Sequence, residues 1–331
     1  MNSEDSLTLL LADIGGTHIR LALAKPGVPS LNQLTRYRCA DFESLNHVLH
    51  EFLRSAIPGQ CVHACFAVAA PVTANEITEE IVMTNSDWRF SVSAIRETFG
   101  WQSLEIVNDF EAVAHGIAHL DSDNLVQLGG GSRNTEGNIA VLGPGTGLGV
   151  KHLVRTEQGW KVLAGEGGHV DFAPVDEADL ALWHFIRESR DRVSIEEILS
   201  GRGLVHIYQS MARLRSADAT IEHAREIVNR GLAGECSICE ESLQQFCSIL
   251  GTFAGNLALN LNTSGGVFLC GGVLTQLGDF LQSSQFRERF EAKGRFRSYV
   301  DQIPVFLITD QEPGLNGALA YVNAGLDSSE A

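Results

Sequence analysis

Short apolar runs that stop at glycine, or at an Asn-Asp pair, set the pattern of this chain. Leu7–Asp13 and Ile19–Ala24 flank Gly15-Gly16-Thr17, and a third strand is predicted near Leu34–Cys39. Leu45, Val48, Leu49 and Phe52 recur at helical spacing, which predicts a helix over Ser44–Ala56. Val62–Ala69 reads as a strand buried on both faces, ended by Ala70-Pro71. A strand edge follows at Ile81–Asn85, a helix at Ser91–Thr98, and a strand at Leu104–Val107 that stops at Asn108-Asp109, with a helix from about Phe110.

The second half repeats this opening. Ile139–Leu142 leads into Gly143-Pro144-Gly145-Thr146-Gly147-Leu148-Gly149, and strands are predicted over Gly147–Arg155 and Gly159–Leu163. Helical patterns cover Asp176–Glu188, Ile195–Leu199, His206–Arg215 and Ile221–Gly231, then a long helix over Glu240–Asn262. The strand Gly266–Cys270 runs into Gly271-Gly272. A late strand, Val305–Ile308, precedes a helix that starts at Pro313-Gly314-Leu315-Asn316-Gly317 and continues over Ala318–Ala324.

Both Gly-Thr loops therefore read as strand, turn, strand. A turn of Gly and Thr exposes backbone N–H groups and a hydroxyl, the donors that hold a polyphosphate. Two such loops, about 130 residues apart, point to a duplicated fold closing on a nucleotide from both sides.

The chain of 331 residues is long enough for two domains with separate cores. With 44% hydrophobic and 20% charged residues it has the make-up of a soluble globular protein. A formal charge of −17 and the lack of basic runs argue against nucleic acid as partner. Any anionic ligand must be held by local dipoles rather than by the overall field. No stretch reaches the ~18 apolar residues of a membrane span, and Met1–Ser6 lacks the features of a signal peptide. The expectation is a cytoplasmic protein with no membrane partner, its seven cysteines reduced.

On these blocks the chain resembles the bacterial glucokinases of the sugar-kinase, hexokinase and actin superfamily. The matching segments fall in the family's order: Ala12–Thr17, Met83–Trp88, Val107–Ala112, Gly143–Gly149, Gly165–Phe172, Glu196–Gly201 and Gly266–Gly272. The resemblance implies an α/β fold of two ribonuclease-H-like (actin-like ATPase) domains flanking a central cleft. The boundaries expected are 1–109 plus 314–331 for the small domain and 110–313 for the large one. It implies transfer of the γ-phosphoryl group of ATP to the 6-hydroxyl of glucose, with Mg²⁺, in a homodimer.

Asp109 ends an apolar strand, where open α/β sheets place their ligand crevices. Phosphoryl transfer to an alcohol needs a carboxylate to accept the hydroxyl proton. Read locally, Asn108-Asp109 is equally a helix cap; the resemblance makes Asp109 the general base. It likewise assigns the sugar to Asn85, Asn108, Asp109, Glu166, His169 and Glu196, with Glu197 adjacent to the last. Carboxylates, amides and an imidazole can satisfy a ring of hydroxyls and leave a buried group unpaired against the wrong epimer. The three glycines around Glu166 would let the segment approach a small ligand closely. A single histidine beside an apolar strand is otherwise a core residue.

Nucleotide contacts are carried over to Asp13, Gly15, Gly16, Thr17, Gly145, Thr146, Gly147, Gly271 and Gly272, with Asp13 also near the metal. Mg²⁺ needs few protein ligands, so one carboxylate plus phosphate oxygens would suffice. The plain alternatives are a turn-ordering aspartate, β-branched strand starters at Thr17 and Thr146, and a strand-to-helix turn at Gly271-Gly272. Two departures stand out. His18 occupies a position where the family commonly has asparagine. The cysteine-rich zinc motif of related kinases and regulators is absent after His169, and Cys236-Ser237-Ile238-Cys239 lacks a second pair of ligands. Rival readings are a kinase for mannose, fructose or an N-acetyl amino sugar, and a sugar-sensing regulator. The second is disfavoured because the charge is acidic and no DNA-binding helices precede Leu7.

Overall fold

The computed structural model describes residues 8–56, 61–70, 80–83, 88–157 and 159–329. By their internal contacts they form two compact units, Met1–Leu120 with Gln311–Ala331, and Asp121–Asp310.

In the first unit the elements run β1 (Thr8–Ile14), β2 (His18–Ala24), β3 (Leu31–Arg38), α1 (Leu45–Ala56), β4 (Cys61–Val68), β5 (Glu80–Val82), β6 (Arg89–Ser91), α2 (Val92–Phe99), β7 (Ser103–Asn108) and α3 (Asp109–Gly116). Its five-stranded sheet has the order β3-β2-β1-β4-β7. The β1–β2 and β2–β3 pairs are antiparallel, and β1–β4 and β4–β7 are parallel. The Leu-rich run of β1 is apolar at every position because both faces are covered. Leu10, Ala12 and Ile14 pack with Val48, Leu49 and Phe52 of α1, while Leu9 and Leu11 pack with Ala112 of α3 and Leu315 and Leu319 of the C-terminal helix, Pro313–Ser329.

That C-terminal helix joins the first unit through an unusually close crossing. A Cβ on Gly317 would fall 2.0 Å from the Ala112 carbonyl oxygen, and one on Gly116 would fall 3.2 Å from Gly317 Cα. Only glycine allows the two backbones this approach. Because α3 is packed in this way, the compact unit extends to Leu120, past the Asp109 boundary expected from sequence.

The second unit contains β8 (Leu125–Gln127), β9 (Ile139–Pro144), β10 (Leu148–Thr156), β11 (Gly159–Leu163), α4 (Glu177–Arg187), α5 (Gly201–Leu214), α6 (Ala224–Leu232), α7 (Ser237–Leu261), β12 (Gly266–Leu269), α8 (Gly272–Ser283), α9 (Phe286–Glu291), α10 (Arg297–Val300) and β13 (Val305–Ile308). Its sheet order is β11-β10-β9-β12-β13-β8. The first five strands repeat the order and the parallel and antiparallel pairings of the first unit, and β8 adds an antiparallel edge. The duplication expected from the two loops is therefore present in the topology.

Three local readings differ. Ile195–Leu199 forms only a short 3-10 turn, Ile195–Glu197, and α5 begins at Gly201 instead of His206. A Cβ on Gly203 would lie 2.1 Å from the Ile198 carbonyl oxygen, so a glycine of low helix propensity is imposed by packing inside the first turn. The strand edge predicted at Ile81–Asn85 is Glu80–Val82; Thr84 and Asn85 lie outside the described residues. No helix among the described residues is long and apolar enough to cross a membrane.

Candidate active site

The end of β7 resolves the two readings of Asn108-Asp109. Asn108, not Asp109, is the N-cap of α3: its Oδ1 accepts the N–H groups of Phe110 and Glu111, both at 3.1 Å. Its Nδ2 donates to the Ala70 carbonyl at 3.1 Å and to Asp109 Oδ1 at 3.2 Å. The Asn108 amide is thus engaged at both ends within the fold. Asp109 opens the helix, half-buried, with Oδ1 also accepting its neighbour's N–H from Phe110 at 2.8 Å. A carboxylate in a first helical turn is favoured by the helix dipole and is held in one orientation here.

Loop one is a closed turn. The Gly15 N–H donates to the His18 carbonyl at 3.0 Å, and the Cys39 N–H donates to the Thr17 carbonyl at 2.9 Å. Gly15 is thereby committed to the turn, and the N–H groups of Gly16 and Thr17 lie outside its closing bond. Asp13, at the end of β1, accepts from Arg20 Nη1 at 2.7 Å. Arg20 Nε lies 3.2 Å from Glu312, which also pairs with Arg36. A Cβ on Gly314 would sit 2.9 Å from Asp13 Cγ, so the C-terminal helix begins directly over this carboxylate. Burial pushes the Asp13 carboxyl above the ordinary range, against the opposing pull of Arg20.

Loop two is held from two sides. Its Gly145 N–H donates to the Gly147 carbonyl at 2.8 Å, and the Gly145 carbonyl accepts from Gly201, the first residue of α5, at 2.9 Å. Gly271, at φ 110°, brings the start of α8 against the loop: a Cβ there would fall 2.4 Å from the Pro144 carbonyl oxygen. No side chain caps α8. The motif at Gly271-Gly272 and loop two, remote in sequence, therefore meet, and the N-termini of α5 and α8 both begin there. Helix N-termini carry unsatisfied N–H groups and partial positive charge, which suits phosphate. Around Gly145 and Gly272 a Cβ would meet nothing within 4 Å. The fold itself does not require glycine at either position, and the open space remains available to a ligand.

Glu196 joins this loop rather than standing apart from it. Its Oε2 accepts the Leu148 N–H at 2.9 Å, and a Cβ on Gly147 would fall 2.5 Å from the same oxygen. Glu197 has a different task, 3.0 Å from Arg202 and 3.8 Å from Arg190. The residues Val170 and Phe172 bond through their backbones to Ile195 and Val193, at 2.9 and 3.0 Å, which places the Glu166–His169 segment beside the one that carries Glu196. Glu166 and His169 are exposed. Gly167 and Gly168 make a close approach to β10: a Cβ on Gly168 would fall 2.2 Å from the Leu148 carbonyl oxygen. Gly165, by contrast, has open space around it.

Lys151 and Arg20 were not picked out from the sequence. Lys151 is buried, donates to the Gly165 carbonyl at 2.9 Å, and stands 3.8 Å from Glu166 Oε1. Arg20 is the lone arginine or lysine of apolar β2, and Lys151 lies in the apolar first half of β10, so each carries a signal in the sequence. A cavity of about 440 Å³ within the second unit is lined by His152, Phe172, Ile195 and Phe253 among others; it reaches Gly167 but not Glu166, His169 or Glu196. Among the described residues no three His, Cys, Asp or Glu side chains cluster as a metal site.

The chain matches the family model described as Glucokinase over residues 10–324. It is 43% identical to a glucokinase of Colwellia psychrerythraea over 97% of this chain and 98% of that one. A crystal structure of glucokinase from an Antarctic psychrotroph superposes with a TM-score of 0.82 at 39% identity, covering 95% of this chain and 98% of that one. A glucokinase from Balamuthia mandrillaris, solved in complex with glucose, shares the fold with a TM-score of 0.80 at 23% identity, covering 98% and 95%.

Proposed function

Since this chain belongs to the glucokinase family, we propose that Asp109 is the general base of its reaction and that loop two with α8 is the main nucleotide cradle. The activity is ATP-dependent phosphorylation of glucose, giving glucose 6-phosphate and ADP. The observation that carries the assignment of the base is the division of labour at the end of β7: Asn108 takes the cap, so Asp109 is not needed for it. Asn108 acts on the reaction through Asp109, whose carboxylate it orients.

Asp109 accepts the proton of the sugar 6-hydroxyl as that oxygen attacks the γ-phosphorus. Such a base contributes about 10²–10⁴-fold. Glu166, His169 and Glu196 bind the remaining hydroxyls, with Asn85 in support, and set the preference for glucose over its epimers. Loop one (Gly15, Gly16, Thr17) and loop two (Gly145, Thr146, Gly147), with Gly271 and Gly272, receive the nucleotide. Its Mg²⁺ enters as part of the substrate, near Asp13. Assembly as a homodimer and a cytoplasmic location rest on the family resemblance.

The test is ADP release with Mg·ATP across glucose, mannose, fructose and N-acetylglucosamine, with a sugar-free control. Release led by glucose supports the pocket assignment. Equal release with the 2-epimer mannose would remove Glu166, His169 and Glu196 as the discriminating set.

A further inference from the structure

The Cys236-Ser237-Ile238-Cys239 segment has no part in the reaction described above, yet its geometry is specific. Cys236 is the N-cap of α7, and its Sγ accepts the N–H of Cys239 at 3.3 Å. Cysteine is not among the residues that N-caps favour. Cα atoms three residues apart at the start of a helix are about 5 Å from each other, within the span a disulfide bridges. Cys236 is half-buried at the turn after α6, while Cys239 is buried behind it. Among the described residues no further His, Cys, Asp or Glu completes a metal site here.

We propose that Cys236 and Cys239 form a redox-active dithiol, with Cys236 the attacking sulfur and Cys239 the resolving one, which a hydroperoxide oxidises to a disulfide. In the first step the Cys236 thiolate attacks the peroxide; an S–O bond forms, the O–O bond breaks, and the departing hydroxide takes a proton to leave as water. In the second, the Cys239 sulfur attacks the sulfenic sulfur; the S–S bond forms, the S–O bond breaks, and hydroxide leaves as water with the Cys239 proton. The two thiols lose two electrons and the peroxide is reduced to two waters.

The electrostatics agree with this order. Burial raises the Cys236 thiol, but the hydrogen bonds from Cys239 and the charge of Arg230 outweigh it, so the net direction is down. Burial, followed by the neighbouring sulfur, pushes Cys239 up to about 12. Arg230 itself pairs with Glu226 at 3.4 Å on the preceding helix. A thiol at a helix N-terminus beside a cation is the reactive kind, and a buried one is the inert kind until it is presented with a sulfenic acid.

The test treats the reduced protein with a small excess of hydrogen peroxide, blocks remaining thiols, and maps them by peptide mass. The expected first product is a peptide in which Cys236 and Cys239 are unalkylated and lighter by two hydrogens. In the Cys239→Ser variant Cys236 should be trapped by dimedone as a sulfenic acid, and should alkylate about tenfold faster than half-buried Cys61. In Cys236→Ser, Cys239 should stay reduced. Oxidation of Cys61 before the pair, or Cys236 alkylating no faster than Cys61, would overturn the proposal. Both variants lie outside the kinase machinery, so unchanged phosphorylation of glucose confirms that each has folded.

Discussion

The two units share one strand order and one opening hairpin, but they place different chemistry at equivalent points. β1 carries a carboxylate, Asp13, one residue before its end and paired with Arg20; β9, its counterpart, ends in Pro144, against which Gly271 packs. The strand that lies parallel to the opening strand's parallel neighbour is β7 in the first unit, and it ends at Asn108-Asp109. Its counterpart β13 ends in apolar Ile308. Repetition therefore conserved the scaffold and not the chemistry. The first unit sets a carboxylate beside the end of β1 and another beside the end of β7, and the second sets glycines and the N-termini of α5 and α8 beside loop two.

Substitutions that exchange these characters should separate the two roles. The largest effect is expected at Asp109→Asn, which keeps size and hydrogen bonding but removes the base; kcat should fall by about 10³-fold. A rise in KM for glucose with kcat kept would instead make Asp109 a binding group. Next comes Gly271→Val in the second unit. A side chain at φ 110° and 2.4 Å from the Pro144 carbonyl must displace either loop two or α8. Steady-state kinetics should show kcat/KM for ATP down by about a hundredfold, with glucose affinity retained.

Gly317→Ala probes the scaffold alone. Its Cβ has no room against Ala112, so denaturant unfolding should show a loss of about 1–3 kcal/mol, with the active-site parameters little changed at low temperature. The smallest effect is expected at Asp13→Asn. Asp13 holds its proton more tightly folded than unfolded, so its contribution to stability falls as pH rises from the ordinary carboxylate value of 3.8. The neutral variant should therefore melt slightly higher than wild type at neutral pH, and the gain should vanish in acid. A gain that grew on acidification would reverse that sign.

Much of the scaffold is legible in the sequence because strands covered on both faces must be apolar throughout, as in Leu9–Ala12 and Ile139–Leu142. The hairpin turns are equally visible, since glycine and threonine there interrupt those runs. Less visible are α8 and the start of α5. Leu274, Leu277 and Leu281 do carry helical spacing, but Gly278 at φ 42° breaks the pattern, and the first turn of α5 contains Gly201 and Gly203, the second required by its contact with the Ile198 carbonyl. At the site, Asp109 stands out by its place after an apolar strand, whereas Glu166 and Glu196 are assigned by the family resemblance. That Asn108 takes the cap, that Glu196 holds the Leu148 N–H, and that Gly167 and Gly168 serve β10 are tertiary facts with no local signature.

The central claim is that the base lies in the first unit and the nucleotide cradle mainly in the second. Calorimetric titration of a nonhydrolysable Mg·ATP analogue into Asp109→Asn and Gly271→Val, side by side with wild type, tests it most directly. The account predicts wild-type nucleotide affinity for Asp109→Asn and a loss of about tenfold or more for Gly271→Val. Equal losses in both, or a loss confined to Asp109→Asn, would contradict it.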